Sequence, residues 1–241
     1  MGNAIYATLT RQTGLMREMS SLAQNVANLS TPGYRAERTT FSEHIVDTGR
    51  GADSLSMARA GARWADMSPA ALRETGAPLD FAIEGQGFFT VEGEEGPLLT
   101  RAGSFTPNAR GELVTPEGRR LLDAGGAPVF VPPDAGSVRM AGDGTLSAGD
   151  RPVARIGLVS PADPTGLERR GAAAFSAPDG TVPEPTGRIM QGFLEGSNVA
   201  PVAEMARLVE VQRAYEMGQG FLDREDQRLE RVIRTLGPQS G

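Results

Sequence analysis

His44 is the only histidine in the 241 residues, and the chain has no cysteine. The absence of cysteine excludes disulfides, thiol nucleophiles and Cys-ligated metals. A single histidine cannot form a zinc-binding His pair or an HExxH motif. Any Ser-His-Asp arrangement would have to use His44, which reads as a solvated surface residue. Asp47-Thr48-Gly49 spells the tripeptide of an aspartic protease, an enzyme that pairs two such carboxylates so that one stays protonated. Here the tripeptide occurs once and lacks the apolar strand that buries a catalytic turn, so a chance tripeptide in a loop is the favoured reading. A dimer supplying the second copy stands as the alternative from a different function class. Gly85-Gln86-Gly87 has two glycines of a dinucleotide fingerprint, but Phe88-Phe89-Thr90 and a strand follow it. Without a helix N-terminus to hold a phosphate, it is a turn between strands. Glu92-Gly93-Glu94-Glu95 reads as a solvated hairpin tip. The expectation is a protein that is not an enzyme, with no metal site and no cofactor.

Bulk properties point the same way. Net charge is -6, and all 24 basic residues are Arg, with no basic cluster to argue for nucleic acid. No apolar run approaches the length of a membrane span, so direct membrane insertion is not expected. The first residues, Met1-Gly2-Asn3-Ala4-Ile5-Tyr6, lack the basic start and apolar core of a cleaved signal peptide. Aromatic content of 5% with Gly 31 and Pro 17 predicts modest cores and many turns.

The elements available to position any site are clearest at the two ends. Ile5, Leu9, Gln12, Met16, Met19, Ala23 and Val26 recur in steps of four and three, predicting a helix over 3–29. Leu15, Leu22 and Leu29 flank that seam at intervals of seven. Thr31-Pro32-Gly33 ends it, because Pro disfavours helical backbone at the residue before it and Gly permits a turn. A second helix is predicted over 199–236, with Asn198 as its cap and Gly237-Pro238 as its stop. Its seam reads Met205, Leu208, Gln212, Tyr215, Gln219, Leu222, Asp226, Leu229, Ile233 and Leu236. Residues 34–78 show no sustained period and read as an extended connector. From Leu79 onward, short alternating runs bounded by Gly, Asn and Asp predict six or more strands in a small antiparallel sheet or barrel.

Several blocks carry a family resemblance. Gln24-Asn25-Val26-Ala27-Asn28-Leu29-Ser30-Thr31-Pro32-Gly33-Tyr34-Arg35 resembles the N-terminal signature of bacterial flagellar rod and hook proteins. Leu79-Asp80-Phe81-Ala82-Ile83-Glu84-Gly85-Gln86-Gly87-Phe88-Phe89 is similar to the entry of that family's β domain. Thr100 to Phe105 and Gly111 to Thr115 continue it in order. Leu194-Glu195-Gly196-Ser197-Asn198-Val199, Pro201, Glu204-Met205 and Gln212-Arg213-Ala214-Tyr215-Glu216 resemble its C-terminal signature. Within the family, the start Asn3-Ala4-Ile5-Tyr6-Ala7 and the length look most like a proximal-rod member. A distal-rod or hook-type subunit is the alternative.

The resemblance implies an α+β chain in which long N- and C-terminal helices form a coiled-coil-like domain (1–33 plus 198–241). The 34–78 connector then joins it to a central, mainly antiparallel β domain (79–197). It implies a structural subunit of the basal-body rod in the periplasm, surrounding an export channel and transmitting torque. Its partners would be other rod proteins, copies of itself and, during export, the flagellar type III apparatus. Ile5, Phe41 and Ile45 match the positions of that apparatus's export signal. Wide apolar faces on two helices cannot be hidden by one two-helix pair. The expected assembly interface therefore comprises Leu9, Met16, Leu22, Asn25, Asn28 and Leu29 on the first helix. On the second it comprises Met205, Leu208, Gln212, Tyr215, Gln219, Leu222, Leu229 and Ile233. Asn25, Asn28, Gln212 and Gln219 are expected to hydrogen-bond across helices in the assembled state.

Overall fold

A computed structural model describes residues 2–46, 55–133 and 135–236; the side chains of 2–7, 41–46, 55–62, 233, 235 and 236 lie outside that description. The chain opens with helix α1 (Gly2–Ala27) and ends with helix α2 (Pro201–Leu236). At 1.5 Å per residue, α2 is about 54 Å long. The intervening chain forms strands. The first two are long, β1 (Glu37–Val46) and β2 (Leu55–Ala65), and they pair with each other. Short strands follow: β3 (Leu72–Glu74), β4 (Phe81–Glu84), β5 (Phe89–Val91), β6 (Leu98–Thr100), β7 (Thr106–Pro107), β8 (Leu113–Val114) and β9 (Leu121–Leu122). The remainder are β10 (Val138–Met140), β11 (Thr145–Ala148), β12 (Arg151–Arg155), β13 (Val159–Pro161), β14 (Glu168–Arg169), β15 (Ala174–Ser176), β16 (Thr181–Pro183), β17 (Arg188–Gln191) and β18 (Phe193–Glu195).

Two compact units divide the chain. One holds α1 as far as Val26, the paired strands from Glu37 to Arg63, and the chain from Ala200 onward. The other holds Ala27–Ala36 and Trp64–Val199.

In the second unit, a five-stranded sheet has the order β14-β15-β6-β5-β9, and β10-β11-β12 form a three-stranded meander. The remaining pairs are β13-β16, β17-β4, β18-β3 and β7-β8, and every pairing from β3 onward is antiparallel. The core gathers inward-facing residues from many short strands, among them Phe81, Phe89, Phe105, Leu113, Leu121, Leu146 and Ile156. Phe89 meets Phe105 edge-on, ring centroids 5.8 Å apart, a favoured aromatic geometry. A central, mainly antiparallel β domain is therefore present as expected.

The coiled-coil-like domain is not. In the first unit the helices meet through a short cluster: Leu15, Leu22 and Val211 are buried, with Met19, Leu208, Ala214 and Tyr215 packed against them. The face of α1 that meets α2 thus runs through the flanking leucines, while the expected seam residues Leu9 and Met16 are exposed at 47% and 54%. One residue along a helix is about 100° of rotation, and the face is turned by part of that, which keeps the seam residues Gln12 and Met19 at the contact and leaves Leu9 and Met16 outside it. On α2, Met205 and Leu229 are exposed as well. A polar group containing Glu37 of β1 also stands at the α1–α2 contact, so the unit is two helices and a strand pair rather than a coil.

The segment 34–78 carries strands. In this segment, expected as an extended connector, β1 pairs with β2 and β3 pairs with β18. Their residues are rich in Arg, Ala, Ser and Gly, which carry no apolar alternation to announce a strand.

Candidate assembly faces and the clasp between the two signatures

Of the residues first weighed for chemistry, Asp47 lies outside the described residues, and so does the His44 side chain on β1. Gly85 and Gly87 have φ of 96° and 108° and lead into β5, so that segment is a strand-to-strand turn. Among the described residues no group of three His, Cys, Asp or Glu side chains is placed to hold a metal ion, and no helix is long and apolar enough to cross a membrane.

The two terminal signatures meet inside the second unit. Glu195 is buried and forms ion pairs with Arg35 at 2.7 Å and Arg101 at 3.3 Å. Its Oε1 also accepts the Ala70 N–H. Arg101 donates further to the carbonyls of Ile83 and Gly85 and lies over the Phe88 ring. Burial pushes the Arg101 pKa down, and the Glu195 charge opposes that shift. Arg169 donates to the Arg35 carbonyl and sits over the rings of Tyr34 and Phe175. Asn198, expected as the α2 cap, instead accepts the Ala36 N–H and donates to the carbonyls of Asp66 and Ser68.

Gly33 explains its own place in this clasp. It takes φ of 68°, and a Cβ there would stand 2.2 Å from the Ala102 nitrogen. Its N–H donates to the Glu195 carbonyl at 2.8 Å. Only glycine combines that backbone with that approach.

A second polar group joins the elements of the first unit. Asn25 is fully buried; its Nδ2 donates to the Glu37 carbonyl and to Glu204 Oε2, and its Oδ1 accepts the Glu37 N–H. Ser21 donates to Glu37 Oε1, Arg63 pairs with Glu37, and Arg38 pairs with Glu204 at 2.6 Å. Further along, Arg207 of α2 pairs with Glu18 of α1 at 2.7 Å, and that carboxylate raises the Arg207 pKa. Gln12 donates to the Tyr215 carbonyl. Its amide occupies the space left by Gly218, whose Cβ would fall 2.4 Å from Gln12 Nε2.

The expected interface residues therefore separate into groups. Leu22, Leu208 and Tyr215 pack between α1 and α2, and Leu29 packs against Tyr34, Ala36 and Val199. Asn25 bridges α1 and α2 within one chain. Asn28 accepts the Thr31 hydroxyl, while Gln212 and Gln219 donate to Glu216 and to the Tyr215 hydroxyl one turn away on α2. Leu222 is half-buried, and Leu9, Met16, Met205 and Leu229 are exposed. Ile5 lies on α1, Phe41 and Ile45 on β1, and Ile233 on α2, all with side chains outside the described residues. Sequence reasoning missed Glu37, Glu195, Arg101 and Glu204 as the residues that hold the signatures. Their partners are distant in the chain, and of the polar residues expected to bond across helices only Asn25 belongs to these groups.

Asn25, Glu37 and Glu204 thus join α1 to α2, and large apolar residues stay exposed on both helices. Comparison with known proteins gives the family. Residues 82–148 match the description "Flagellar hook protein FlgE/F/G D1 domain", and residues 190–235 match "Flagellar basal body rod FlgEFG protein C-terminal". The chain belongs to the flagellar basal-body rod protein family. It is 38% identical over 245 residues to the flagellar basal-body rod protein FlgF of Mesorhizobium japonicum, covering 100% of both chains. It is 36% identical to FlgF of Caulobacter vibrioides over 244 residues, covering 98% of this chain and 99% of the relative. The flagellar basal-body rod protein FlgG of Bacillus subtilis is 27% identical over 260 residues, covering 97% and 98%.

Proposed function

We propose that this chain is a structural subunit of the proximal rod of the flagellar basal body. The observation that carries this reading is full-length similarity to FlgF at 38% and 36%, against 27% for FlgG of Bacillus subtilis. The subunit assembles with copies of itself and with other rod proteins in the periplasm, surrounds the export channel and passes torque from motor to hook. Leu9, Met16, Met205 and Leu229 belong to its contact surface, because they are large, apolar and exposed in the isolated chain. Export runs through the flagellar type III apparatus, with Ile5, Phe41 and Ile45 as the signal. Imaging basal bodies from a strain lacking the chain tests the assignment: assembly is expected to stall within the proximal rod. A complete proximal rod lacking only its distal part would favour the distal-rod reading instead.

A further inference from the structure

Helix α2 is apolar on two sides. Leu208, Val211 and Ala214 pack against α1. Val202, Met205 and Val209 follow the i, i+3, i+7 spacing on another side, and all three are exposed, Val202 to 83%. Near Ala214, a groove between α1 and α2 encloses a cavity of ≈ 260 Å³ lined by Arg11, Gln12, Leu15, Ala214, Met217 and Phe221. A liquid water takes about 30 Å³, so the space admits a side chain the size of methionine. The strip and the groove-lining residues of α2 are separated by roughly a third of a turn around the helix.

Two polar features mark the groove. Gln12 is buried, yet its Oε1 has no hydrogen-bond partner among the described residues. Arg11, exposed beside it, makes no ion pair among them either. On the strip side, Glu216 accepts a bond from Gln212 and meets no cation among the described residues. Among the described residues, the groove thus presents a cation without an ion pair, and the side of α2 that carries the strip presents, two turns further on, a carboxylate without one.

We propose that the strip Val202, Met205 and Val209 of one copy seats in the α1–α2 groove of the next copy, with Glu216 facing Arg11. A contact between two different patches of one chain is heterologous, and heterologous contacts continue into rings or helical filaments. A contact of one patch with itself would close at two copies. This inference rests on the rod-subunit reading and names the surface by which its copies join.

Because the chain has no cysteine, single introduced thiols report the contact directly. Full-length Met217→Cys and Met205→Cys chains, carrying different tags, are co-expressed in a strain lacking the native chain, and its basal bodies are oxidised. The expected product is the mixed Met217→Cys with Met205→Cys dimer. Adding Arg11→Glu to the groove copy is expected to abolish it, and adding Glu216→Arg to the strip copy to restore it. Cross-links only between like copies overturn the proposal. So does the absence of any cross-link in basal bodies that contain both variants, because another rod protein or solvent then covers the groove. If neither variant enters the basal body while other rod proteins do, the rod reading fails, and the proposal with it.

Discussion

Glu195 faces two arginines with one carboxylate, in a place that water does not reach. Replacing one partner of such a group leaves the others charged, buried and uncompensated. Glu195→Gln is expected to destabilise the chain by about 3–5 kcal/mol in urea unfolding, whereas a change at the exposed pair Arg170–Glu168 is expected to stay within about 1 kcal/mol. Gly33→Ala adds a Cβ against the Ala102 backbone at a left-handed φ, and is expected to cost at least about 1–3 kcal/mol. The surface carboxylates act through pH. The Arg120 hydrogen bond holds the Glu92 pKa below its ordinary 4.5, and the Asn108 amide holds Glu112 below the same value. A carboxylate depressed in the folded state binds protons more weakly than in the unfolded chain. Its contribution is therefore complete above pH 4.5 and lost as pH falls through the depressed pKa values. Thermal melts are expected to be flat from neutral pH down to about that value and to fall below it, and Arg120→Ala is expected to weaken the fall.

At the scale of elements, two glycines of α2 that look alike in sequence differ in the fold. A Cβ added at Gly220 would have nothing within 4 Å, while the space beside Gly218 is filled by the Gln12 amide. Gly220→Ala is expected to raise stability by about 0.5–1 kcal/mol through helix propensity. Gly218→Ala is expected to lower it, because Gln12 must leave its bond to the Tyr215 carbonyl; differential scanning calorimetry of the pair checks both signs. Elements are legible where local pattern and long-range partner agree. Val138–Met140 is readable because apolar alternation flanks Asp143-Gly144, and the end of α2 at Leu236 because Gly237-Pro238 follows. Residues 152–159, in which Ala154, Ile156 and Leu158 alternate as in a single strand, divide between β12 and β13, and Ile156 and Leu158 are both buried. The face that α1 turns to α2 lies about one residue from the seam expected of it, since two overlapping apolar periods compete and only the partner helix decides between them. Asn25 is visible as a polar seam residue, but Glu37 and Glu204, 12 and 179 residues away, cannot be matched to it from spacing.

The whole molecule combines one unit with a broad aromatic and aliphatic core and another whose helices share a small one. Stability is not uniform in such a chain, and regions with few buried contacts open first. In dilute solution the monomer is expected to show less helix by circular dichroism than 26 and 36 helical residues would give, with residues beyond Leu222 cleaved first by protease and 64–199 persisting. Neighbours that bind only the ordered helices shift that equilibrium by mass action. Fully protected termini in a dilute monomer would show that assembly is not needed to order them.

The clasp of Gly33, Arg35, Glu195 and Asn198 also has a mechanical meaning. Gly33 and Arg35 follow α1 in the chain, and Glu195 and Asn198 precede α2, so once the direct α1–α2 contacts have given way a pull on the two ends is met by the bonds that join these segments. A hydrogen bond from Gly33, a buried ion pair and the Asn198 bond to the Ala36 N–H must give way before tension reaches the strands behind them. Stretched between its ends in a single-molecule experiment, the chain should therefore extend in two steps, helices first and β unit second, and losing the Glu195 carboxylate should lower the force of the second step alone.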